Sequence, residues 1–325
     1  MAKVQLKEKH SDMARSSKSM LDTIGNTPLV ELKNISPNPK VQIFAKLEGQ
    51  NPTGSVKDRI AKYMIQDAEK NNILVAGKTI FEPTSGNTGI SLALVGKLKG
   101  YKVKVVMPDN VSPERTALLK AYGAEVVFSD GKKGTNGSIV VAQEMAQANP
   151  GYFMPYQYGN HSNPQAHYET TGEEIVQQVP DVTAFVAGLG TGGTLMGVGR
   201  RLKAHNPAVS VIAVAPEIDD SIQGLRSLEE GFVPPILDMS VLDSRMMVGS
   251  ADAFRMTKEL LDREGIFAGI SSGSVVHSAC VLAKRTKSGI IVCLLADGGW
   301  KYLSTGLWTK EYREMEDEAS GKIWW

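Results

Sequence analysis

Short apolar runs alternate with amphipathic stretches along most of this chain. Residues 41–47 alternate apolar and polar positions, the period of a half-buried strand. A shorter apolar run at 29–32 follows the turn signal Gly25-Asn26-Thr27-Pro28. Val56, Ile60, Tyr63, Met64 and Ala68 recur at helical spacing, which predicts a helix from about Lys57 to Asn71. Strands are predicted at 79–82, 103–107, 124–128, 184–187, 209–215 and 290–296, and the 103–107 run is of the continuous apolar kind found in parallel sheets. Helices are predicted between them at 90–98, 113–122, about 136–148, 167–178, 195–204, 251–264 and 275–285. Residues 219–240 read as irregular. Strand and helix alternating in this way is the α/β pattern, with helices on both faces of a mostly parallel sheet. Ligands in such folds sit where the strand order switches.

The chain has 325 residues, enough for one large or two medium domains. Lys+Arg 36 against Asp+Glu 35 leaves a net charge of +1, so there is no basic excess to hold nucleic acid or an acidic membrane. No apolar run reaches the length of a membrane span. The two cysteines, Cys280 and Cys293, fall in apolar surroundings and are expected to be buried free thiols in a reducing compartment. The five histidines show no metal-ligand spacing, so no metal is expected. Residues 1–19 are polar, without the apolar region of a secretory signal; they are expected to form a flexible arm, with Met13 or Met20 as alternative starts. The expected location is the cytoplasm.

Four loop–helix junctions carry candidate chemistry. Pro52-Thr53-Gly54-Ser55-Val56-Lys57-Asp58-Arg59 has Ser55 and Asp58 at capping-box spacing, which places Lys57 in the first helical turn. That end of the helix dipole disfavours an ammonium ion. The position suits a lysine that spends time as a neutral amine, although a solvated surface lysine is the commoner case. Gly190-Thr191-Gly192-Gly193-Thr194 lies between a strand and a helix and reads either as a phosphate cup or as a tight turn. It lacks the Lys of a Walker loop and the last glycine of a dinucleotide fingerprint. Thr84-Ser85-Gly86-Asn87-Thr88 reads as a carboxylate-holding loop or an ordinary helix cap. Ser271-Ser272-Gly273 is a serine at a helix start.

These segments, in this order, resemble the cysteine synthase family of pyridoxal-phosphate enzymes, fold type II, similar to tryptophan synthase β. The matching stretches are Gly25 to Leu29, Asn51 to Arg59, Glu82 to Gly89, Gly188 to Gly197, Gly265 to Gly273 and Tyr302 to Gly306. The resemblance implies two domains, each with a mostly parallel sheet flanked by helices: a larger cofactor-binding one over 20–50 and 161–325, and a smaller mobile one over 51–160. It implies that Lys57 attaches pyridoxal 5'-phosphate, that Gly190, Thr191, Gly192, Gly193 and Thr194 hold its phosphate, and that Asn87 and Ser271 meet its ring hydroxyl and ring nitrogen. Thr84, Ser85, Gly86 and Thr88, with Gln157, would hold the substrate carboxylate. The implied reaction is β-replacement: an O-activated serine loses its leaving group to give an aminoacrylate, and a sulfur donor adds to form L-cysteine. Sulfide, thiosulfate and a sulfur-carrier protein are the candidate donors, and a homodimer is the implied assembly.

Within the family the chain resembles the cysteine synthase B type and the actinobacterial members that use O-phosphoserine. Gly224-Leu225-Arg226, Glu230-Gly231-Phe232-Val233-Pro234 and Asp297 to Leu303 carry that likeness. An arginine fork suits a phosphate leaving group, so Arg226 is a candidate reader of O-phosphoserine, against the alternative of a surface arginine. All four tryptophans, Trp300, Trp308, Trp324 and Trp325, fall in the last stretch. The terminal Ile323-Trp324-Trp325 is a candidate lid over the site, a candidate docking tail, or simple core packing. The alternatives to a cysteine synthase are a serine or threonine dehydratase of the same fold and a catalytically silent cofactor-binding paralogue.

Overall fold

The computed structural model describes residues 17–84, 86–229 and 231–311. Its strands are β1 (Leu29–Glu31), β2 (Val41–Leu47), β3 (Thr79–Pro83), β4 (Lys102–Pro108), β5 (Glu125–Ser129), β6 (Tyr152–Phe153), β7 (Ala184–Gly188), β8 (Ser210–Pro216), β9 (Ser244–Val248) and β10 (Gly289–Leu295). Its α-helices are α1 (Lys57–Lys70), α2 (Asn87–Lys99), α3 (Pro113–Tyr122), α4 (Gly134–Ala148), α5 (Ser162–Ala166), α6 (Glu173–Gln178), α7 (Gly193–His205), α8 (Ser250–Glu264) and α9 (Ile270–Arg285). A π-helical stretch, His167–Gly172, joins α5 to α6.

Two sheets result. The larger runs β1-β2-β10-β7-β8-β9 and is parallel except for the antiparallel β1–β2 pair. The smaller runs β5-β4-β3-β6 and is parallel throughout. In the larger sheet the two-residue period sorts side chains to opposite cores. Phe185, Ala187, Val211, Ala213, Val292 and Leu294 pack with Leu195, Val198 and Leu202 of α7. Their neighbours Ala184, Val186, Ile212, Val214, Ile291 and Cys293 pack with Val275, Val276 and Ala279 of α9. Both faces are covered, so the strand centres at 184–187, 211–215 and 290–295 are apolar at every position, at about 1.5–3 kcal/mol per fully buried large side chain. The smaller sheet repeats the arrangement: Ile80, Val103 and Val105 face α1 and α2, while Phe81 and Val106 face Ala142 of α4.

Some boundaries differ from the sequence expectation. Helix α9 begins at Ile270, one turn before the predicted 275, so Ser271 lies inside a helix and not in a loop ahead of it. Gly273 is needed there because a Cβ would collide with the Ala253 carbonyl and with Thr257 of α8. Strand β9 was not expected; its Ser244 and Arg245 face solvent at the sheet edge and mask the pattern. Ser112 stands at the cap position of α3, but its hydroxyl accepts from no N–H of its own helix and instead donates to the Lys301 carbonyl. Cys280 and Cys293 are buried free thiols. Ser19 caps the short turn Met20–Thr23; the rest of the predicted arm up to residue 16, and the Ile323-Trp324-Trp325 tail, lie outside the described residues.

Candidate active site

Lys57 is the first residue of α1, and the backbone ahead of it is tied to the end of β10. Val56 N–H donates to the Ala296 carbonyl at 2.8 Å, and Gly298 N–H donates to the Gly54 carbonyl at 3.2 Å. Gly54 has φ +78°, and a Cβ there would strike the Trp300 indole. The capping box expected from Ser55 and Asp58 does not form. Ser55 Oγ accepts from Lys57 N–H at 3.3 Å, while the Asp58 carboxylate turns back onto Thr53 and across to Ser91 of α2. Asp58 therefore ties two helices together. Burial pulls the Lys57 amine below the usual lysine range, against the opposing charges of Asp297 and Glu48. A lysine so placed is readied to act as a neutral amine.

Beside Lys57 lies a cavity of about 230 Å³ between the two sheets. From the smaller-sheet side it is lined by Thr84, Gly86, Asn87 and Gln157. Thr84 Oγ1 accepts from Gly86 N–H at 3.2 Å, and Thr88 Oγ1 donates to Gln157 Oε1 at 2.6 Å. Ser85 falls outside the described residues. From the larger-sheet side come Gly190, Thr191 and Ser271. A recess of about 40 Å³ runs on from there, lined by Gly190, Thr191, Gly192 and Thr194, with Lys57 and Ser271 also on its wall. Gly192 has φ +86°, and a Cβ on Gly190 would press on the Gly224 carbonyl at 3.1 Å. Gly193 N–H and Asn163 Nδ2 donate to Thr191 Oγ1 at 3.2 and 3.1 Å, which fixes the loop.

Sequence reasoning missed the groups that hold this site in place. Thr194 Oγ1 is 3.2 Å from His167 Nε2, and burial with the charges of Arg59 and Lys57 holds that imidazole neutral. The Asn87 amide is gripped at both ends: Nδ2 donates to Asp297 Oδ2 at 2.7 Å, and Oδ1 accepts from Lys301 Nζ at 2.7 Å. Tyr302 OH also donates to Asp297 Oδ2, at 2.6 Å. Burial brings the Lys301 ammonium down to about 8. These partners stand more than 200 residues from Asn87, so no local pattern announces them. Arg226 lines the cavity, as the sequence suggested; it is a buried residue and not a surface one. Its backbone N–H donates to the Leu189 carbonyl at 2.7 Å and its guanidinium to Asn136 Oδ1 at 3.1 Å, over the rings of Phe232 and Tyr158.

The donor set fits pyridoxal phosphate. The glycine recess opens at the N-terminus of α7, where backbone N–H groups and the helix dipole favour a phosphate. The lysine amine lines the same cavity as Asn87 and Ser271, two neutral groups suited to a ring. Among the described residues no group of three or more His, Cys, Asp or Glu is placed to hold a metal ion, and no helix is long and apolar enough to cross a membrane.

Comparison with known proteins agrees. The family of pyridoxal-phosphate dependent enzymes matches residues 20–297. The chain is 43% identical to cysteine synthase B of Escherichia coli over 291 residues, which is 89% of this chain and 96% of that protein. It is 45% identical to a cysteine synthase of Staphylococcus aureus over 88% of this chain and 95% of that protein. Among solved structures, cysteine synthase from Entamoeba histolytica superposes with a TM-score of 0.86 at 34% identity, covering 98% of both chains.

Proposed function

The chain belongs to the family of pyridoxal-phosphate dependent enzymes, and from that premise we propose that it makes L-cysteine by replacing the β-substituent of an O-activated serine with sulfur. The observation that carries this reading is Lys57, held toward its neutral form on the wall that also bears the glycine recess and Ser271. The bound cofactor would supply an electron sink for charge left at the substrate Cα. Ser271 offers the ring nitrogen a hydroxyl where an aspartate would keep it protonated; a sink weakened in this way favours elimination and replacement over transamination.

The chain's own residues would divide the work as follows. Thr84, Gly86 and Thr88, with Gln157 and Ser85, bind the substrate carboxylate and fix the Cα–H direction. Lys57 Nζ, as a neutral amine, takes the proton from Cα and returns one when sulfur has added. Arg226, braced by Asn136 and two rings, takes the leaving group, and its fork favours the phosphate of O-phosphoserine over the acetate of O-acetylserine. Sulfide, thiosulfate or a sulfur-carrier protein supplies the sulfur. Residues 51–160, which carry the smaller sheet, act as the domain that closes on the larger one, because the cavity lies between the two sheets. A homodimer in the cytoplasm completes the reading, supported by the family likeness and the free thiols.

The test is to mix the cofactor-loaded protein with O-phosphoserine, then with O-acetylserine, in the presence of sulfide, and to follow cofactor absorbance and cysteine. Cysteine from either substrate bears out the reaction. Pyruvate and ammonia without cysteine would replace it with the dehydratase reading.

A further inference from the structure

Glu82 is a fully buried acid in β3, beneath the cavity but not in its wall. Its two carboxylate oxygens accept from two successive backbone N–H groups, Tyr156 at 2.7 Å and Gln157 at 2.8 Å. Tyr156 holds φ +54°, a left-handed conformation that costs a non-glycine residue free energy and persists only where neighbours impose it. Asn163 Nδ2 grips the same turn from the other side, donating to the Gln157 carbonyl at 2.8 Å. The turn delivers the Gln157 side chain to the cavity, where Thr88 holds its oxygen.

We propose that Glu82 is the positioning residue of the substrate-carboxylate site: it folds the Tyr156–Gln157 turn and so sets where Gln157 meets the amino-acid substrate. This rests on the reading of Gln157 given above. The ionised carboxylate accepts strongly from both N–H groups. Once it is protonated, one oxygen becomes a hydroxyl, a weaker acceptor that must also donate its own proton, and one anchor of the turn is loosened. Burial pushes the Glu82 carboxyl up to about 7, against the pull of the two N–H groups, so this exchange falls in the neutral range. Among the described residues the ionisable groups coupled to its charge are the Tyr156 and Tyr158 phenols, both raised by burial and neutral there; Arg226 lies beyond them, acting on those phenols. Beside Glu82, β4 sets the apolar Val105. Capture of the amino acid therefore weakens as pH falls below about 7, through a group that touches neither substrate nor cofactor.

The experiment compares wild-type and Glu82→Gln holoenzymes. The amide of glutamine keeps one acceptor and turns a donor toward the other N–H. We expect KM for the O-activated serine to rise about tenfold at pH 8 with kcat changed less than about twofold, the size of one lost hydrogen bond in a binding element. Hydrogen–deuterium exchange of the peptide spanning 154–160, corrected for intrinsic rate, is the second readout. In the wild type its protection should rise about tenfold between about pH 6 and about pH 8.5, and in the variant it should stay low and flat. KM and protection unchanged by the substitution would overturn the proposal. Should the variant not fold, the wild-type exchange profile decides alone, and a flat profile overturns it. A wild type that made no cysteine would instead count against the proposed reaction, with the exchange profile still judging the anchor.

Discussion

Lys301 Nζ donates to Asn87 Oδ1 at 2.7 Å, joining the segment after the last strand of the larger sheet to the first residue of a helix packed on the smaller one. An asparagine amide can be turned either way, and its usefulness to a ligand depends on which end faces it. Here a cation claims the oxygen and the Asp297 carboxylate claims one N–H, so the remaining N–H is the group the side chain can offer a ring hydroxyl. Lys301→Met keeps the bulk and removes the claim. It should release bound cofactor about tenfold faster and move its absorbance maximum, with Lys57 untouched; spectral titration and a dilution experiment read both. Unchanged release and spectrum would show that Asp297 alone sets the amide.

Arg226 is braced before any ligand arrives, by Asn136 and by the faces of Phe232 and Tyr158. A guanidinium held in this way loses little freedom when it forks onto a phosphate. Arg226→Ala should lower kcat/KM for O-phosphoserine about 30- to 100-fold, the worth of a charge-assisted pair, and change that for O-acetylserine less than about threefold. Equal losses on the two substrates would leave Arg226 as a structural brace.

Beneath the site lies a buried ionic cluster. Arg59 binds Glu48 at 2.7 Å and Glu174 at 2.6 Å, and Lys46 binds Glu174 at 2.7 Å. Breaking such a cluster strands a charge without water, so Glu48→Gln should cost about 3–5 kcal/mol and lower the melting temperature measurably. The pH direction follows from the acids. Glu48 and Glu174 are held below the usual carboxylate value by these cations, although burial works the other way. Their stabilisation is therefore complete above the unfolded value of 4.5 and is lost as pH falls through the lower folded values. Acid melts of wild type and variant should converge, the difference being large at pH 7 and small at the acid end.

Glu82 has the opposite sign. Its folded value of about 7 lies above the ordinary 4.5, so the folded state holds the proton longer than the unfolded chain does. Stability falls as pH rises between those two values and stays lower above them. The difference amounts to about 3 kcal/mol in the wild type, an upper bound from the shift itself. Glu82→Gln removes that dependence. Denaturant melts should find the variant gaining on the wild type between pH 5 and 8 while its grip on substrate weakens, so that stability and binding move in opposite directions.

The chain's plan was readable where burial is two-sided. The centres of β7, β8 and β10 are apolar because both faces are covered, and that pattern is local. Lys57, the 190–194 loop and the 84–88 loop were readable because each sits at a strand–helix junction with its chemistry in consecutive residues. The supports were not. Glu82 meets Gln157 across 75 residues, and Asn87 meets Lys301 across 214. Asp58 looked like a cap because Ser55 stands three residues before it, but a buried Thr53 and Ser91 competed for its carboxylate and won. Ser271 looked like a loop residue because serine and glycine favour turns; close packing of α8 on α9 draws it into the helix.

The strand order of the larger sheet fixes when this molecule can become complete. Among the described residues β10 is the last strand in the chain, yet it lies between β2 and β7 and is the only pairing that joins them. Until residues 289–295 leave the ribosome, β1–β2 and β7–β8–β9 are two unconnected pieces with open edges. The Ala296 carbonyl that fixes the backbone at Lys57 arrives with the same segment. A nascent chain therefore has no assembled lysine site until residues 289–296 have emerged and paired.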